Sequence, residues 1–291
     1  MRANVKGKWR FSSKRLGFPY VFVACTFFFV IGFSFSNLLS QGISGENPRR
    51  RSVREEKDVF DPMPRGETGN DSVAKIPFQV LSWMPRALYF PNFATPEQCQ
   101  SIIDMAKPLL KPSRLALREG ETVENTQGVR TSSGVFIGVS EDKSGLLKVI
   151  EEKIAMATMI PTDNYEAFNI LRYQLNQKYS AHYDAFNPAE YGPQKSQRVA
   201  TLLLYLSNTE EGGETMFPYE NAGNMDGNYD YEECIGLRVK PRQGDAVLFY
   251  SVFPNGTIDA TSLHGSCPVI KGEKWVATKW IRDQMYEDFA D

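Results

Sequence analysis

The chain has 291 residues, 42% apolar and 23% charged, which is enough for one large globular domain with appendages. Its net charge of −2 hides an asymmetry. Arg2, Lys6, Lys8, Arg10, Lys14 and Arg15 stand in the first 15 residues without an acid, so residues 16–291 hold 27 of the 33 basic groups against all 35 acids, a net of −8. An acidic main body excludes nucleic acid as a partner, because phosphates need a basic face.

Residues 16–45 carry no charge, and 16–39 are mostly apolar and rich in phenylalanine. A span of roughly 20 residues crosses a hydrocarbon core of about 30 Å. Residues 1–15 therefore read as a cytoplasmic basic tail, 16–39 as a transmembrane signal-anchor and 40–77, with its Gly, Pro and charges, as a flexible stem. A cleaved signal peptide is the competing reading, with Ser34-Phe35-Ser36 and Ser40-Gln41-Gly42 as cleavage sites. Arg49, Arg50, Arg51, Arg54 and Lys57 make the far flank basic too, but the short N-terminus favours a single-pass type II chain whose bulk, 78–291, faces the secretory lumen. The endoplasmic reticulum is the expected membrane and the Golgi the alternative, since residues 286–291 hold no retrieval tetrapeptide. In that lumen Asn70-Asp71-Ser72 and Asn255-Gly256-Thr257 are glycan acceptors. Of the four cysteines, Cys25 lies in the span. Cys99, Cys234 and Cys267 meet conditions where disulfides persist, and three cannot all pair.

Order begins near Phe78 with a strand-like pair broken at Pro85. Thr95-Pro96-Glu97-Gln98 predicts a helix with Thr as N-cap, Pro at its first position and Gln three residues after the cap, closed by Pro108. A second helix is expected over 144–156. Between them, 120–138 is polar and Gly-rich and reads as a loop or hairpin. After Pro161 the period turns strand-like at 165–179, 198–206, 235–239, 245–252, 260–264 and 275–281, while 223–233 reads as an acidic excursion. Helices followed by many short strands predict an α+β domain with a jelly-roll core.

The chain has two histidines. His182 stands two residues before Asp184, and on a strand i and i+2 aim at one point. On a helix they would diverge by roughly 200°. With His264 they make two imidazoles and one carboxylate, the facial set of non-haem Fe(II) oxygenases. Lys274 follows His264 by ten residues. If the two sit on adjacent barrel strands, its ammonium enters the same mouth and can pair with a dicarboxylate cosubstrate. The competing reading is a solvated strand end.

His182-Tyr183-Asp184, His264 and Lys274 resemble the iron and 2-oxoglutarate motif of the prolyl 4-hydroxylases. The neighbouring words are similar to those of short, plant-type, membrane-anchored members: Leu171-Arg172-Tyr173, Gln197-Arg198-Val199-Ala200-Thr201, Gly212-Gly213-Glu214-Thr215-Met216-Phe217-Pro218, Pro241-Arg242-Gln243-Gly244-Asp245-Ala246-Val247 and Leu263-His264-Gly265-Ser266-Cys267-Pro268. The resemblance covers roughly 79–283 and implies a double-stranded β-helix core with flanking N-terminal helices. It implies Fe(II) on His182, Asp184 and His264, and 2-oxoglutarate on Lys274 with Tyr173 and Thr215 in support and Trp280 lining the pocket. It also implies a peptide groove formed by Arg130, Glu166, Tyr179 and Arg198, although core packing explains Tyr179 equally well. A Cys234–Cys267 bridge would leave Cys99 free. The activity implied is hydroxylation of C4 of peptidyl proline in proline-rich secretory or cell-wall glycoproteins, with O₂ consumed and ascorbate required. The alternatives are another peptidyl hydroxylase and a non-catalytic jelly-roll module. Lysyl hydroxylases generally carry Arg where Lys274 stands, and an intact site speaks against a binding module.

Overall fold

A computed structural model of the chain describes residues 76–286, all within the unit Phe60–Asp291. The expected tail 1–15, signal-anchor 16–39, stem residues 40–75 and the acceptor Asn70 lie outside the described residues. No helix among the described residues is long and apolar enough to cross a membrane.

Among the described residues, fourteen strands and three helices follow one another as β1 (Gln79–Trp83), β2 (Arg86–Phe90), α1 (Pro96–Ala106), β3 (Lys111–Pro112), β4 (Ser133–Ile137), α2 (Leu146–Thr158), β5 (Phe168–Tyr173), β6 (Tyr179–His182) and α3 (Pro188–Tyr191). The rest are β7 (Arg198–Tyr205), β8 (Glu211–Gly212), β9 (Thr215–Phe217), β10 (Leu237–Val239), β11 (Ala246–Tyr250), β12 (His264–Ser266), β13 (Val269–Lys271) and β14 (Lys274–Arg282). An eight-stranded sheet runs β1-β2-β11-β7-β14-β5-β4-β3, and a four-stranded sheet runs β10-β9-β12-β6. All pairings are antiparallel. This is the expected jelly-roll core, with α1 and α2 at one face.

The large sheet is buried on both sides, which is why β7 reads as a nearly continuous apolar run. Its even-numbered residues Ala200, Leu202 and Leu204 face a core closed by Cys99, Ile102 and Ala106 of α1 and Leu147, Ile150 and Ile154 of α2. Its odd-numbered Leu203 and Tyr205 face the small sheet, packing with Phe217, Val239, Phe249 and Val276. The site lies in this second layer.

Helix α1 begins as expected. The Thr95 hydroxyl accepts from Gln98 N at 3.2 Å, and the Gln98 side chain accepts from Thr95 N at 2.9 Å. Helix α2 starts two residues later than expected, because the Asp142 carboxylate caps it by accepting from Leu147 N and Ser144 N.

Three strand expectations are corrected. The run 165–179 is not one strand. Asn176 takes a left-handed φ of 62°, the Gln177 side chain accepts from Gln174 N, and the chain turns out of the large sheet into the small one. The run 260–264 is a 3₁₀ turn at Ala260–Ser262 followed by β12, because Asp259 caps the turn at Thr261 N. Within 120–138 a strand, β4, forms by pairing with β5. Val135, Phe136 and Ile137 favour a strand, and pairing with β5 extends it over Ser133 and Gly134, which carry no such preference.

Candidate active site

The sheet switch at 174–178 brings β6 beside β12 with His182 directly opposite His264. Directly opposed residues share a face, and the two imidazole centroids stand 4.4 Å apart. Gly265 permits this pairing. A Cβ there would lie 2.9 Å from the Tyr179 carbonyl oxygen and 2.8 Å from the Met216 methyl. Strand β6 ends at His182, so Asp184 lies just past it, yet the i, i+2 convergence holds. Asp184 Oδ1 is 3.7 Å from His182 Nε2, and Oδ2 is 3.5 Å from His264 Nε2.

Each imidazole is oriented by its own backbone. His182 Nδ1 lies 2.9 Å from the Ser180 carbonyl and His264 Nδ1 lies 3.0 Å from that of Ser262. A carbonyl only accepts, so both Nδ1 atoms carry the proton and both Nε2 lone pairs point at Asp184. Burial, reinforced by the adjacent His264 ring, pushes His182 down to about 3 and keeps it neutral. Burial would raise the Asp184 carboxyl, but His264, His182 and Arg198 outweigh it and hold it below its ordinary range. The Thr201 hydroxyl on β7 donates to Asp184 Oδ2 at 2.6 Å, fixing the carboxylate from the opposite sheet. The three donor atoms lie within 4.8 Å of one another. Two imidazoles and one carboxylate on one side of a point fit a transition metal with its other positions open. The other metal-compatible group among the described residues, Glu214 with Cys234 and Cys267, has both sulfurs in a disulfide with Cα atoms 5.5 Å apart. That bridge and a buried free Cys99 are the expected pairing.

His264 and Lys274 are not on adjacent strands, so the condition for a shared mouth is met another way. β12 lies in the small sheet and β14 in the large one, so Lys274 reaches the site from across the sandwich. It is 2% exposed and donates to Ser266 Oγ at 2.9 Å. No carboxylate among the described residues is within ion-pair distance of it, and burial pushes its ammonium down to about 7. A solvated strand end is thereby excluded. Tyr173 lies beneath the ammonium at 5.2 Å, while Thr215 lines the same cavity and accepts from Tyr205 Oη at 2.9 Å. Lysine desolvated with no carboxylate in ion-pair range is unfavourable, and Glu214 offsets the burial only in part. An incoming carboxylate would complete it, so the residues fit a dianionic ligand spanning metal and Lys274.

Arg130, Tyr179 and Trp280 line this cavity together with Leu171, Leu203 and Val276. Tyr179 does more than pack. Its ring stacks on His182 at 3.6 Å, and the Arg130 guanidinium stands 4.6 Å from the ring centroid. The Trp280 Nε1–H is buried with no acceptor among the described residues. Glu166 is corrected. It presents no open face to a groove, being 5% exposed and bonded to Arg198 at 2.7 Å through both oxygens and to Arg282 at 2.6 Å. Arg198, so neutralised, lies 3.7 Å over the Trp280 ring and supports the cavity wall from behind.

Sequence reading missed Thr201, Ser266 and Asp259. The turn that Asp259 caps offers the Ser262 carbonyl to His264 and the Ala260 carbonyl to Tyr183 Oη at 3.1 Å, and Tyr183 sits between the other two donors. Asp259 is 1% exposed, and its Oδ2 has no partner among the described residues. The alternation Thr201-x-Leu203-x-Tyr205 places Thr201 on the inner face of β7, but a threonine inside an apolar strand gives no sign of its partner.

Residues 168–282 match the model of the 2OG-Fe(II) oxygenase superfamily. The chain is 63% identical over 291 residues to a probable prolyl 4-hydroxylase, number 9, of Arabidopsis thaliana, covering 99% of this chain and 100% of that one. It is 65% identical over 277 residues to prolyl 4-hydroxylase 13 of the same plant, covering 94% and 97%. Among solved structures, a viral collagen prolyl hydroxylase from Paramecium Bursaria Chlorella virus-1 in its 2OG complex superimposes with a TM-score of 0.50 at 25% identity. The match covers 67% of this chain and 95% of that one. The strand-borne His/Asp/His set, the lysine facing it and the near full-length identity agree, and the chain belongs to the prolyl 4-hydroxylases of the 2OG-Fe(II) oxygenase superfamily.

Proposed function

We propose that this protein is a peptidyl-proline 4-hydroxylase. The observation that carries the reading is one cavity in which the His/Asp/His set faces a buried ammonium with no carboxylate of the described residues in ion-pair range. His182, Asp184 and His264 would hold Fe(II), and Lys274 would pair with the distal carboxylate of 2-oxoglutarate beside Tyr173 and Thr215. Iron, when bound, supplies the oxidising chemistry, by which one atom of O₂ enters the C4–H bond of proline, the other enters succinate, and CO₂ leaves. The chain's own part is orientation and exclusion of water. Thr201 and the Ser180 and Ser262 carbonyls aim the donor atoms, and Leu171, Leu203 and Val276 keep the surroundings dry.

Arg130 and Tyr179 are the residues best placed to meet the peptide, with Trp280 held ready by Arg198 and Glu166. Proline-rich chains favour polyproline II, which an aromatic-walled site holds at little entropic cost. Proline-rich secretory or cell-wall glycoproteins are the substrate class. Ascorbate would keep the iron reduced. The basic, then uncharged, N-terminal sequence supports a membrane-anchored enzyme with residues 78–291 in the lumen of the endoplasmic reticulum and with Asn70 and Asn255 as glycan acceptors.

The test is hydroxyproline formation on a proline-rich peptide with Fe(II), 2-oxoglutarate and ascorbate supplied. His182→Ala, Asp184→Ala and His264→Ala are each expected to abolish product and succinate while the thermal melt remains cooperative. Full turnover in any one of them would rule out the triad.

A further inference from the structure

The short hairpin at Phe253-Pro254-Asn255-Gly256-Thr257 lies outside the cavity, and its geometry is particular. Val252 and Ile258 pair across its base, Gly256 N donates to the Phe253 carbonyl at 2.8 Å, and Phe253 N donates to the Thr257 carbonyl at 2.8 Å. Pro254 suits the second position of a type I turn, and Gly256, at φ +82°, supplies the left-handed residue that completes a bulged turn. Because Phe253 and Thr257 face each other across the hairpin, their side chains emerge on one face. Asn255 is drawn to that face as well, since its Oδ1 accepts from Thr257 N at 3.1 Å and from Thr257 Oγ1 at 2.7 Å.

Phe253 is 40% exposed, and among the described residues no ring or cation stands over it. Asn255 is exposed, and among the described residues its Nδ2 makes no hydrogen bond, so the acceptor atom of the sequon is open to solvent beside a partly exposed ring. The hydroxyl of Thr257 donates to the asparagine side chain and holds it against the hairpin.

We infer that this hairpin is a built glycan platform, in which the first N-acetylglucosamine on Asn255 lies against the Phe253 ring and the Thr257 methyl. The apolar C–H face of the sugar meets the electron-rich face of the ring and covers apolar surface that the protein leaves in water. A contact made only in the folded state stabilises it. Asn255 is thus a stability site as well as an acceptor. This inference rests on the lumenal placement proposed above.

The experiment uses the full chain produced in cells that add oligomannose glycans. Glycopeptide mass spectrometry reads occupancy at Asn70 and Asn255, and the purified protein is trimmed enzymatically to a single sugar per site. The single-sugar form is expected to melt about 2–4 °C above Asn255→Gln, with hydroxylation of the peptide unchanged between them. In Phe253→Ala and Phe253→Leu, paired with and without Asn255→Gln, that difference should vanish while occupancy remains. An occupied Asn255 giving no increment in the wild-type ring background overturns the platform and leaves the catalytic reading intact. Glycan on Asn70 with none on Asn255 overturns it equally. Absence of glycan at both sites removes the lumenal placement and this inference together, with catalysis still measured separately in the same preparation.

Discussion

Lys274 is the side chain whose energetics depend most on what the site contains. In the protein alone its ammonium is buried, has one hydroxyl partner and is pushed down to about 7. A group whose pKa falls on folding binds fewer protons in the native state, so stability rises with pH between about 7 and the unfolded value near 10.4. A carboxylate partner reverses the shift. Binding of 2-oxoglutarate above pH 7 should therefore take up a fraction of a proton, which titration calorimetry at pH 8 in two buffers of different ionisation enthalpy would read. Lys274→Ala should leave the melt of the cosubstrate-free protein unchanged or higher. It should also raise the 2-oxoglutarate KM by about 100-fold or more, because a desolvated carboxylate without its partner loses several kcal/mol. Lys274→Arg keeps the charge on a larger, forked group and should recover only part of that loss. An unchanged KM in Lys274→Ala would sink the assignment of this residue.

The 3₁₀ turn at Ala260–Ser262 does for the donor set what no single ligand can. One capping carboxylate, Asp259, fixes a turn whose carbonyls contact both His264 and the tyrosine between His182 and Asp184. Groups that orient metal-bound histidines typically carry 10–100-fold of metal affinity. Asp259→Ala is expected to weaken Co(II) binding, followed by its visible spectrum, by about that factor. Asp259→Asn keeps the acceptor at Oδ1 and should restore a large part. Equal Co(II) affinity in all three proteins would reduce Asp259 to a purely structural cap. Loss of the Thr95 cap on α1, by contrast, should cost about 1 kcal/mol and leave metal binding alone, since α1 packs on the far face of the large sheet.

The domain is a sandwich whose two sheets are tied at the site by side chains: Thr201 to Asp184, Lys274 to Ser266, Tyr205 to Thr215. The Cys234–Cys267 bridge, with a sequence separation of 33, fastens the acidic excursion beside β12. Loop-closure entropy for that separation suggests a stabilisation of about 3–4 kcal/mol. Paired Cys234→Ala and Cys267→Ala substitutions should lower the urea midpoint accordingly. Because Ser266 adjoins the bridge, the same variant should also raise the 2-oxoglutarate KM. An unaltered midpoint would mean that the excursion is held by Tyr219, Tyr229 and Leu263 packing alone.

Much of this was local and therefore readable from the chain. A capping box announces α1 because its partners are three residues apart, and His182 and Asp184 converge because side chains alternate along extended backbone. The type of each donor, its spacing and the family likeness of the surrounding words follow from the linear order of residues. What folding alone decided is long-range. The turn at 174–178 moves β6 into the second sheet, the register of β12 then sets His264 against His182 from 82 positions away, and β14 carries Lys274 in from the opposite layer. Whether that lysine is solvated or buried, whether Glu166 meets a peptide or two arginines, and that Thr201, Ser266 and Asp259 serve the site at all depend on which strands pair and which faces close. Those choices are set by burial summed over the whole sandwich, and no short window of sequence carries that sum.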